Sequence, residues 1–499
     1  MNNIPESDWD KPIETQLYID GDIRLASTNE VYAVHNPARP EELVGHAASA
    51  TIDDVDLAVA AAHKAFPDWA ALSYAERADY LNRIADHLVS DEDDVKYRSR
   101  LFCREHGKIL KETLLEMERL GDRFRLSASY AERLAADEII PGPPFDTIVT
   151  RQPRGVAALI VPWNWPLSIL GAKLPQALMA GNTVVVKPAE NSTLAPTLTL
   201  LKIASLLPPG VVNVITGSSE KIGDSLTTHP LVRFINFTGS VRVGKHVMSM
   251  ASKNLTPVTL ELGGNDAALV LEDAELDEAA FMRMYKGTFM SSGQICMALK
   301  RLYVHRSRYD EVIEQLTALC ESMVVGDGLL GATDMGPVNN SRQLQVVTDM
   351  IAEARAAGAE VKECGQVPDQ ALYAGGYFQK PTLVYNPDKR LRVVCEEQFG
   401  PLLPIMPFDT EGEAVAYAND SNFGLCSSVW TQDRERAVKL ARQIEAGYTY
   451  INAHGPTAQD SRAPFGGFRD SGIGRNLGYD GIIQFQEQHS ISAPAHWLL

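Results

Sequence analysis

Val232-Arg-Phe-Ile-Asn-Phe-Thr-Gly-Ser240 passes from an apolar strand through a small-residue turn into the helical pattern of Val241 to Ser252. Ser240 is placed as that helix's cap. The same rhythm recurs on both sides, with short apolar strands at Val156 to Val161, Thr183 to Lys187 and Val211 to Thr216, each followed by a helical stretch. Strands of this kind alternating with helices predict βαβ units and a parallel sheet covered on both faces. Further along, strands at Ala267 to Leu271, Leu302 to Val304 and Leu402 to Pro407 alternate with helices at Tyr309 to Met323 and Arg342 to Ala357. Two α/β domains are expected.

Before these units, Thr51 to Leu134 reads as helical, with apolar residues three and four apart through Val55 to Ala62 and Tyr80 to Leu88. Thr51 or Asp53 can cap the first helix. The prolines and glycine of Ile140-Pro-Gly-Pro-Pro-Phe145 then forbid a helix and favour an extended excursion. Near the end, Ser490-Ile-Ser-Ala493 is expected to pair with Thr147 to Arg151 as an outlying strand, an arrangement that favours oligomerisation.

The 499 residues exceed what one core organises, and 45% hydrophobic with 22% charged residues is ordinary for a folded chain. A net charge of −18 without basic runs excludes nucleic acid as a partner. The acidic first thirty residues do not read as a secretory signal, so a cytoplasmic location is expected. The apolar stretch from Gly155 to Ala172 is interrupted by Pro162, Asn164 and Pro166, and reads as a buried strand running into a loop, not a membrane span. Cysteines 103, 296, 320, 364, 395 and 426 are scattered without metal spacing, so reduced thiols and no metal site are expected.

The chemistry-bearing pieces are ambiguous one by one. Gly239 and Ser240 form a strand-to-helix turn that suits a phosphate, but without the three-glycine fingerprint such a turn is ordinarily only a cap. Lys187 and Glu190, at the end of another strand, are suited to the hydroxyls of an adenosine ribose, or are a solvated pair. Asn164, in Trp163-Asn-Trp-Pro-Leu167, either points an N–H at an oxyanion or closes a turn. Cys296 in Ser291-Ser-Gly-Gln-Ile-Cys-Met-Ala298 is a nucleophile or a buried thiol, and Glu261 in Leu260-Glu-Leu-Gly-Gly-Asn265 a base or a strand-end carboxylate.

Taken together, Pro162-Trp-Asn-Trp-Pro166, Lys187-Pro-Ala-Glu190, Phe237-Thr-Gly-Ser240, Leu260-Glu-Leu-Gly-Gly264, Gly293-Gln-Ile-Cys296, Glu397-Gln-Phe-Gly-Pro401 and Pro464-Phe-Gly-Gly467 resemble, in order and wording, the NAD(P)-dependent aldehyde dehydrogenase superfamily. The resemblance runs nearly end to end. It implies a Rossmann-like nucleotide-binding domain (1–132 and 152–262), an α/β catalytic domain (263–452) and a small β element for oligomerisation or bridging (133–151 and the end of 453–499, a segment that first returns to the nucleotide domain). It also implies that Cys296 adds to an aldehyde, that Asn164 and a backbone N–H hold the oxyanion, that a nicotinamide takes the hydride, and that Glu261 activates the water that hydrolyses the resulting thioester. Pro162, Trp163, Lys187, Glu190, Gly239, Ser240, Leu262, Glu397 and Phe399 resemble the family's cofactor contacts. Glu190 favours NAD over NADP by repelling a 2′-phosphate, while Lys187 keeps NADP open.

Two positions depart from many relatives: Asn265 stands where lysine is common, and Asn476 where a glutamate joins a lysine, here Lys173, in a proton exit route. Relatives that pass the acyl group to CoA generally lack a glutamate at the position of Glu261, so water is the expected acceptor; a catalytically silent relative and a cysteine hydrolase are the remaining alternatives. Trp163, Trp165, Ile169, Phe289, Met290, Ile295 and Met297 are expected to flank an apolar substrate tunnel suited to an uncharged aromatic or medium aliphatic aldehyde. Arg462 is a surface arginine or a carboxylate anchor that keeps semialdehydes as an alternative. A homodimer or homotetramer is expected.

Overall fold

The computed structural model describes residues 6–495 and 497; positions 1–5, 496, 498 and 499, at the outer ends of the expected segments 1–132 and 453–499, lie outside the described residues. Two large sheets form its centre. In the first, the spatial order is Gly472–Ile473, Val258–Glu261, Val232–Thr238, Val156–Ile160, Thr183–Lys187, Val212–Val214, Leu17–Ile19 and Asp22–Arg24. The five inner strands from Val258 to Val214 pair in parallel, and the chain order reverses between Val156–Ile160 and Val232–Thr238. A doubly wound sheet places its ligand crevice beyond the carboxyl ends of the strands at such a reversal. Trp163 and Asn164 follow one of these two strands, and Gly239 and Ser240 the other.

The second sheet runs Glu360–Glu363, Thr382–Tyr385, Leu402–Phe408, Leu299–His305, Asp266–Val270, Cys426–Trp430 and Tyr448–Ile451, parallel except at its Glu360–Glu363 edge. A third sheet is antiparallel: Gln486–Pro494 pairs with Phe145–Pro153, opposing Ser490 to Val149, and Glu138–Ile140 lies on the other side. The outlying pairing expected from sequence is therefore present, and longer than expected.

Four helices lie on the two sides of the first sheet: α1 (Ile52–Ala71) packs directly on its strands, while α2 (Tyr74–Val89), α3 (Glu92–His106) and α4 (Leu110–Ala128) pack on one another and on the helices Leu174–Met179 and Leu194–Ala204. Thr51, not Asp53, caps α1: its Oγ1 accepts the Asp54 N–H at 3.3 Å, and Asp54 Oδ2 accepts the Thr51 N–H at 2.9 Å. Val55 is buried in the core on one face with Val156 and Ala158, and Leu81, Ile84, Leu101, Phe102 and Phe124 in the core on the other face with Ala157 and Leu159. Truncating one such leucine to alanine costs about 2–5 kcal/mol, so this face is rigid support for the strand ends.

Two parts differ from the sequence reading. The first fifty residues, which show no strong periodicity, supply strands to two sheets, including Val31–Asn36 and Arg39–Ala48. The stretch after Pro162 is not all loop, because Pro166 begins a short helix, Pro166–Gly171, where its missing N–H costs nothing. The cysteines are free, and among the described residues no cluster suits a metal and no helix is long and apolar enough to cross a membrane.

Candidate active site

Two cavities meet at Cys296. The inner groove is lined by Pro162, Trp163, Asn164, Thr238, Gly239, Ser240, Leu262, Gly263, Cys296, Gln343, Val346, Glu397 and Phe399. The outer tunnel is lined by Arg119, Arg123, Asn164, Trp165, Ser168, Ile169, Ala172, Thr238, Glu261, Ile295, Cys296, Met297, Pro456, Gln459, Phe465, Asn476 and Leu477. Asn164, Thr238 and Cys296 belong to both.

The groove lies at the reversal of the first sheet. Ser240 Oγ accepts the Val243 N–H at 3.4 Å, capping the helix Val241–Ala251. A Cβ on Gly239 would stand 2.5 Å from Phe237 Cζ, and one on Gly263 2.3 Å from Glu397 Oε2, so a side chain at either position would displace the Phe237 ring or the Glu397 carboxylate. Glu397 Oε1 accepts the Gly264 N–H at 3.0 Å and lies 3.7 Å from Lys300 Nζ. Phe399 has φ of 47°, a conformation that a bulky residue adopts only where its surroundings force it. Its ring meets that of Trp163 edge-on at 5.6 Å. Lys187 and Glu190 are absent from this lining but converge nearby: Lys187 Nζ donates to Ser219 Oγ at 2.9 Å and Glu190 Oε2 accepts the Ser219 N–H at 3.4 Å. This cradle of strand-end amides, glycines and a lysine–glutamate pair fits an extended dinucleotide.

Cys296 follows an unusual turn. Ser291, Ser292 and Gly293 have φ of 52°, 56° and 72°, three left-handed residues in succession. A Cβ on Gly293 would lie 2.1 Å from the Gly400 carbonyl oxygen, so this position must be glycine. Asn164 Nδ2 donates to the Gln294 carbonyl at 3.0 Å, tying the Asn164 loop to the cysteine turn and leaving its second amide hydrogen available. Burial pushes the Cys296 thiol up, opposed by Lys300.

Glu261 ends the strand Val258–Glu261, and its carbonyl accepts the Gly239 N–H at 3.0 Å. Its two carboxyl oxygens are buried without a hydrogen-bond partner. Burial pushes the carboxyl up to about 8, with Lys173 and Arg475 pulling the other way. Burial likewise brings the Lys173 ammonium down to about 7. Lys173 Nζ donates to Asn236 Oδ1, and Asn236 Nδ2 donates to Asn476 Oδ1 at 2.8 Å. A buried acid poised near neutrality beside a thiol is suited to proton transfer.

The tunnel corrects part of the sequence reading. Trp165, Ile169, Ile295 and Met297 line it as expected. Met290 does not: it sits just before the left-handed turn, which carries the chain away, and packs against the cluster around Trp165 and Ile295. Phe289 is buried in the core of the second sheet, and Trp163 faces the groove. Arg462 is exposed and paired with Asp460 at 2.7 Å. The cations at the tunnel wall are instead Arg119 and Arg123, on α4, with no ion pair among the described residues. Arg119 Nη1 donates to the Pro456 carbonyl at 3.2 Å and Arg123 Nη2 to Gln459 Oε1 at 3.3 Å, while Arg123 Nη1 is buried without a partner. Burial, then Arg119, brings the Arg123 guanidinium down to about 10, which leaves it charged at neutral pH. Helical spacing alone marks such arginines as a solvated face, so only the tertiary placement reveals them.

A model of the aldehyde dehydrogenase family matches residues 24–491. Among curated proteins, the chain is 36% identical over 484 residues to aminoaldehyde dehydrogenase 1 of Pisum sativum, covering 94% of each chain. It is also 36% identical over 484 residues to glutarate-semialdehyde dehydrogenase of Pseudomonas aeruginosa, covering 96% of this chain and 97% of that one. Among solved structures, betaine aldehyde dehydrogenase of Staphylococcus aureus in complex with NAD+ superimposes with a TM-score of 0.91 at 30% identity, covering 97% of this chain and 96% of that one. With a family match over nearly its whole length and a Rossmann-like doubly wound sheet carrying the groove, this chain belongs to the aldehyde dehydrogenase family.

Proposed function

We propose that this enzyme oxidises an aldehyde that also carries a carboxylate, with Cys296 as nucleophile, Asn164 as oxyanion donor and Glu261 as base. The observation that carries the substrate class is the pair Arg119 and Arg123, unpaired in the wall of the tunnel that ends at Cys296 and Glu261. Both guanidinium groups are half-buried, Arg123 Nη1 is buried without a partner, and a substrate carboxylate is the group that would satisfy it. Between the arginines and the thiol, Trp165, Ile169, Ile295, Phe465 and Leu477 form an apolar passage suited to the carbon chain of a medium-length ω-oxo acid. The same arginines disfavour quaternary ammonium and amino aldehydes, the kind of substrate named for the betaine and aminoaldehyde relatives, and agree with the glutarate semialdehyde of the Pseudomonas relative.

The chain's groups divide the work. Glu261 takes the Cys296 thiol proton and passes it to water, the sulfur adds to the carbonyl carbon, and Asn164 donates to the oxygen as it becomes negative. Ser240, Lys187, Glu190, Glu397 and Phe399 would hold NAD, which would supply the acceptor for the hydride lost as the adduct on Cys296 becomes a thioester. Glu261 then takes a proton from the attacking water, releasing the acid and the thiol. A base of pKa about 8 works better as pH rises from 6 to 9. Glu190 favours NAD over NADP through charge. In the same reading, the segments 1–132 and 152–262 hold the nucleotide, 263–452 carries the nucleophile, and the three-stranded sheet made by 133–151 and the end of 453–499 joins copies of the chain.

A kcat/KM panel with NAD and NADP tests the substrate class. A five-carbon ω-oxo acid is expected to exceed the uncharged aldehyde of equal length about tenfold or more, the worth of a charge-assisted hydrogen bond. A preference for benzaldehyde-type or unsubstituted aliphatic aldehydes would return the tunnel to its apolar reading.

A further inference from the structure

Helix α4 presents Glu112, Glu116, Arg119 and Arg123 at spacings of four, three and four, which places them on one stripe. The two arginines face the tunnel, and the two glutamates, one turn after another, are buried behind it. Each glutamate is bonded to a different loop. Glu112 Oε1 accepts the N–H of Ser291 at 2.8 Å, the first residue of the left-handed turn that leads to Cys296. Glu116 Oε2 accepts the N–H groups of Leu167 at 3.1 Å and Ser168 at 2.9 Å, at the start of the helix that follows Asn164. No local side chain caps that helix. The other oxygen of Glu116 pairs with Lys108, whose ammonium lies 3.7 Å from the centre of the Trp165 ring.

We propose that Glu112 and Glu116 are positioning residues that fix the thiol of Cys296 against the amide of Asn164 by anchoring both loops to one rigid helix. Two successive non-glycine residues in left-handed geometry are strained, so the Ser291–Ser292 turn persists only where it is tied down. Ser292 Oγ donates to the Gly336 carbonyl at 2.8 Å and Gln294 Nε2 to the Ser291 carbonyl at 2.9 Å, while Glu112 supplies the tie from Ser291 to α4. The direct link between the loops, from Asn164 Nδ2 to the Gln294 carbonyl, is a single hydrogen bond, too weak to set the spacing without the helix behind it. Because the same helix carries Arg119 and Arg123, the end of the substrate held by the arginines and the carbon presented to the thiol share one frame.

The inference rests on the roles proposed above for Cys296 and Asn164, and the control separates the two: full kcat in Asn164→Ala would overturn that reading of Asn164, not the anchoring. The test variant is Glu112→Met, which keeps the volume and removes the acceptor, compared with Glu112→Gln, which keeps an acceptor oxygen. In Glu112→Met, kcat is expected to fall about 100-fold, the effect of a misplacement of about 1 Å. KM for the aldehyde and Kd for NAD should stay within about threefold. Glu112→Gln should restore kcat to within about threefold of the starting enzyme. In the cycle with Asn164→Ala, the loss caused by Glu112→Met should shrink, because the partner it positions is gone. Unchanged kcat in folded Glu112→Met, or strictly additive losses in the cycle, would overturn the proposal. Should Glu112→Met fail to fold, the Gln variant decides: a hundredfold loss there would show that the charge, not the hydrogen bond to Ser291, is what matters.

Discussion

The groove and the tunnel meet at the same sulfur yet are built differently. Three walls of the groove are short peptides at the ends of strands: Pro162-Trp-Asn after Val156–Ile160, Thr238-Gly-Ser closing Val232–Thr238 and Leu262-Gly after Val258–Glu261; Gln343 and Val346 of the helix Ser341–Ala356, with Glu397 and Phe399, line the rest. The tunnel is assembled from α4, the helix at Pro166, the segment before and after Cys296 and the loops from Pro456 to Leu477. A strand end fixes backbone amides in space, which suits a ligand that is always the same. A wall of side chains from several elements can change residue by residue, which suits a ligand that varies among relatives.

The largest effect should come from the sulfur the two share. Cys296→Ala is expected to abolish NADH formation with every aldehyde while leaving NAD binding within about threefold, because the groove keeps its strand ends; equilibrium fluorescence quenching measures the second quantity. Next, Arg123→Gln should raise KM for an ω-oxo acid about 10- to 100-fold, the loss of a desolvated charge-assisted bond, and leave an uncharged aldehyde of the same length nearly unaffected. Equal losses for both substrates would mean that Arg123 merely supports the wall. On the groove side, Glu190→Gln should improve kcat/KM for NADP relative to NAD by about tenfold, since one repelling charge near a 2′-phosphate is worth roughly 1 kcal/mol or more at this exposure. The smallest effect belongs to Asn476→Glu: the chain Lys173–Asn236–Asn476 continues in hydrogen bonds with either side chain, and turnover should change by about threefold or less.

The contrast also marks what could be read from the sequence. The parallel sheets, the strand after Phe485 and the groove residues Asn164, Gly239 and Ser240 are legible because each is local: an apolar run, a cap, a glycine next to a strand end; Glu397 and Phe399 are legible only through the resemblance to the family. Thr238 and Gly263 adjoin those motifs and were within reach of the same reasoning. Gln343 and Val346 were not, because they come from the helix Ser341–Ala356, whose amphipathic pattern gives no sign that one end faces a cavity. Arg119 and Arg123 escaped for the same reason. Their sequence context is an ordinary charged helix, and only the buried, unpartnered Nη1 of half-buried Arg123 beside an apolar passage distinguishes them from a solvated face. Met290 shows the opposite error, since an apolar residue near the nucleophile was assigned to the tunnel although the turn at Ser291 removes it. The strands of the first fifty residues were missed because their alternation is broken by bulges, as at Val34 to Asn36.

Glu261 joins the two regions, standing at the end of a groove strand with its carboxyl in the tunnel wall, and the claim that it delivers water to a thioester on Cys296 is the centre of this account. Intact-protein and peptide mass spectrometry of Glu261→Gln, mixed with NAD and an ω-oxo acid, tests it directly. The variant should form the acyl adduct slowly, accumulate it on the peptide containing Cys296 and fail to release it, so that the mass gain equals the acyl group and persists for minutes. Rapid turnover with an unmodified Cys296, or an adduct on another residue, would contradict it.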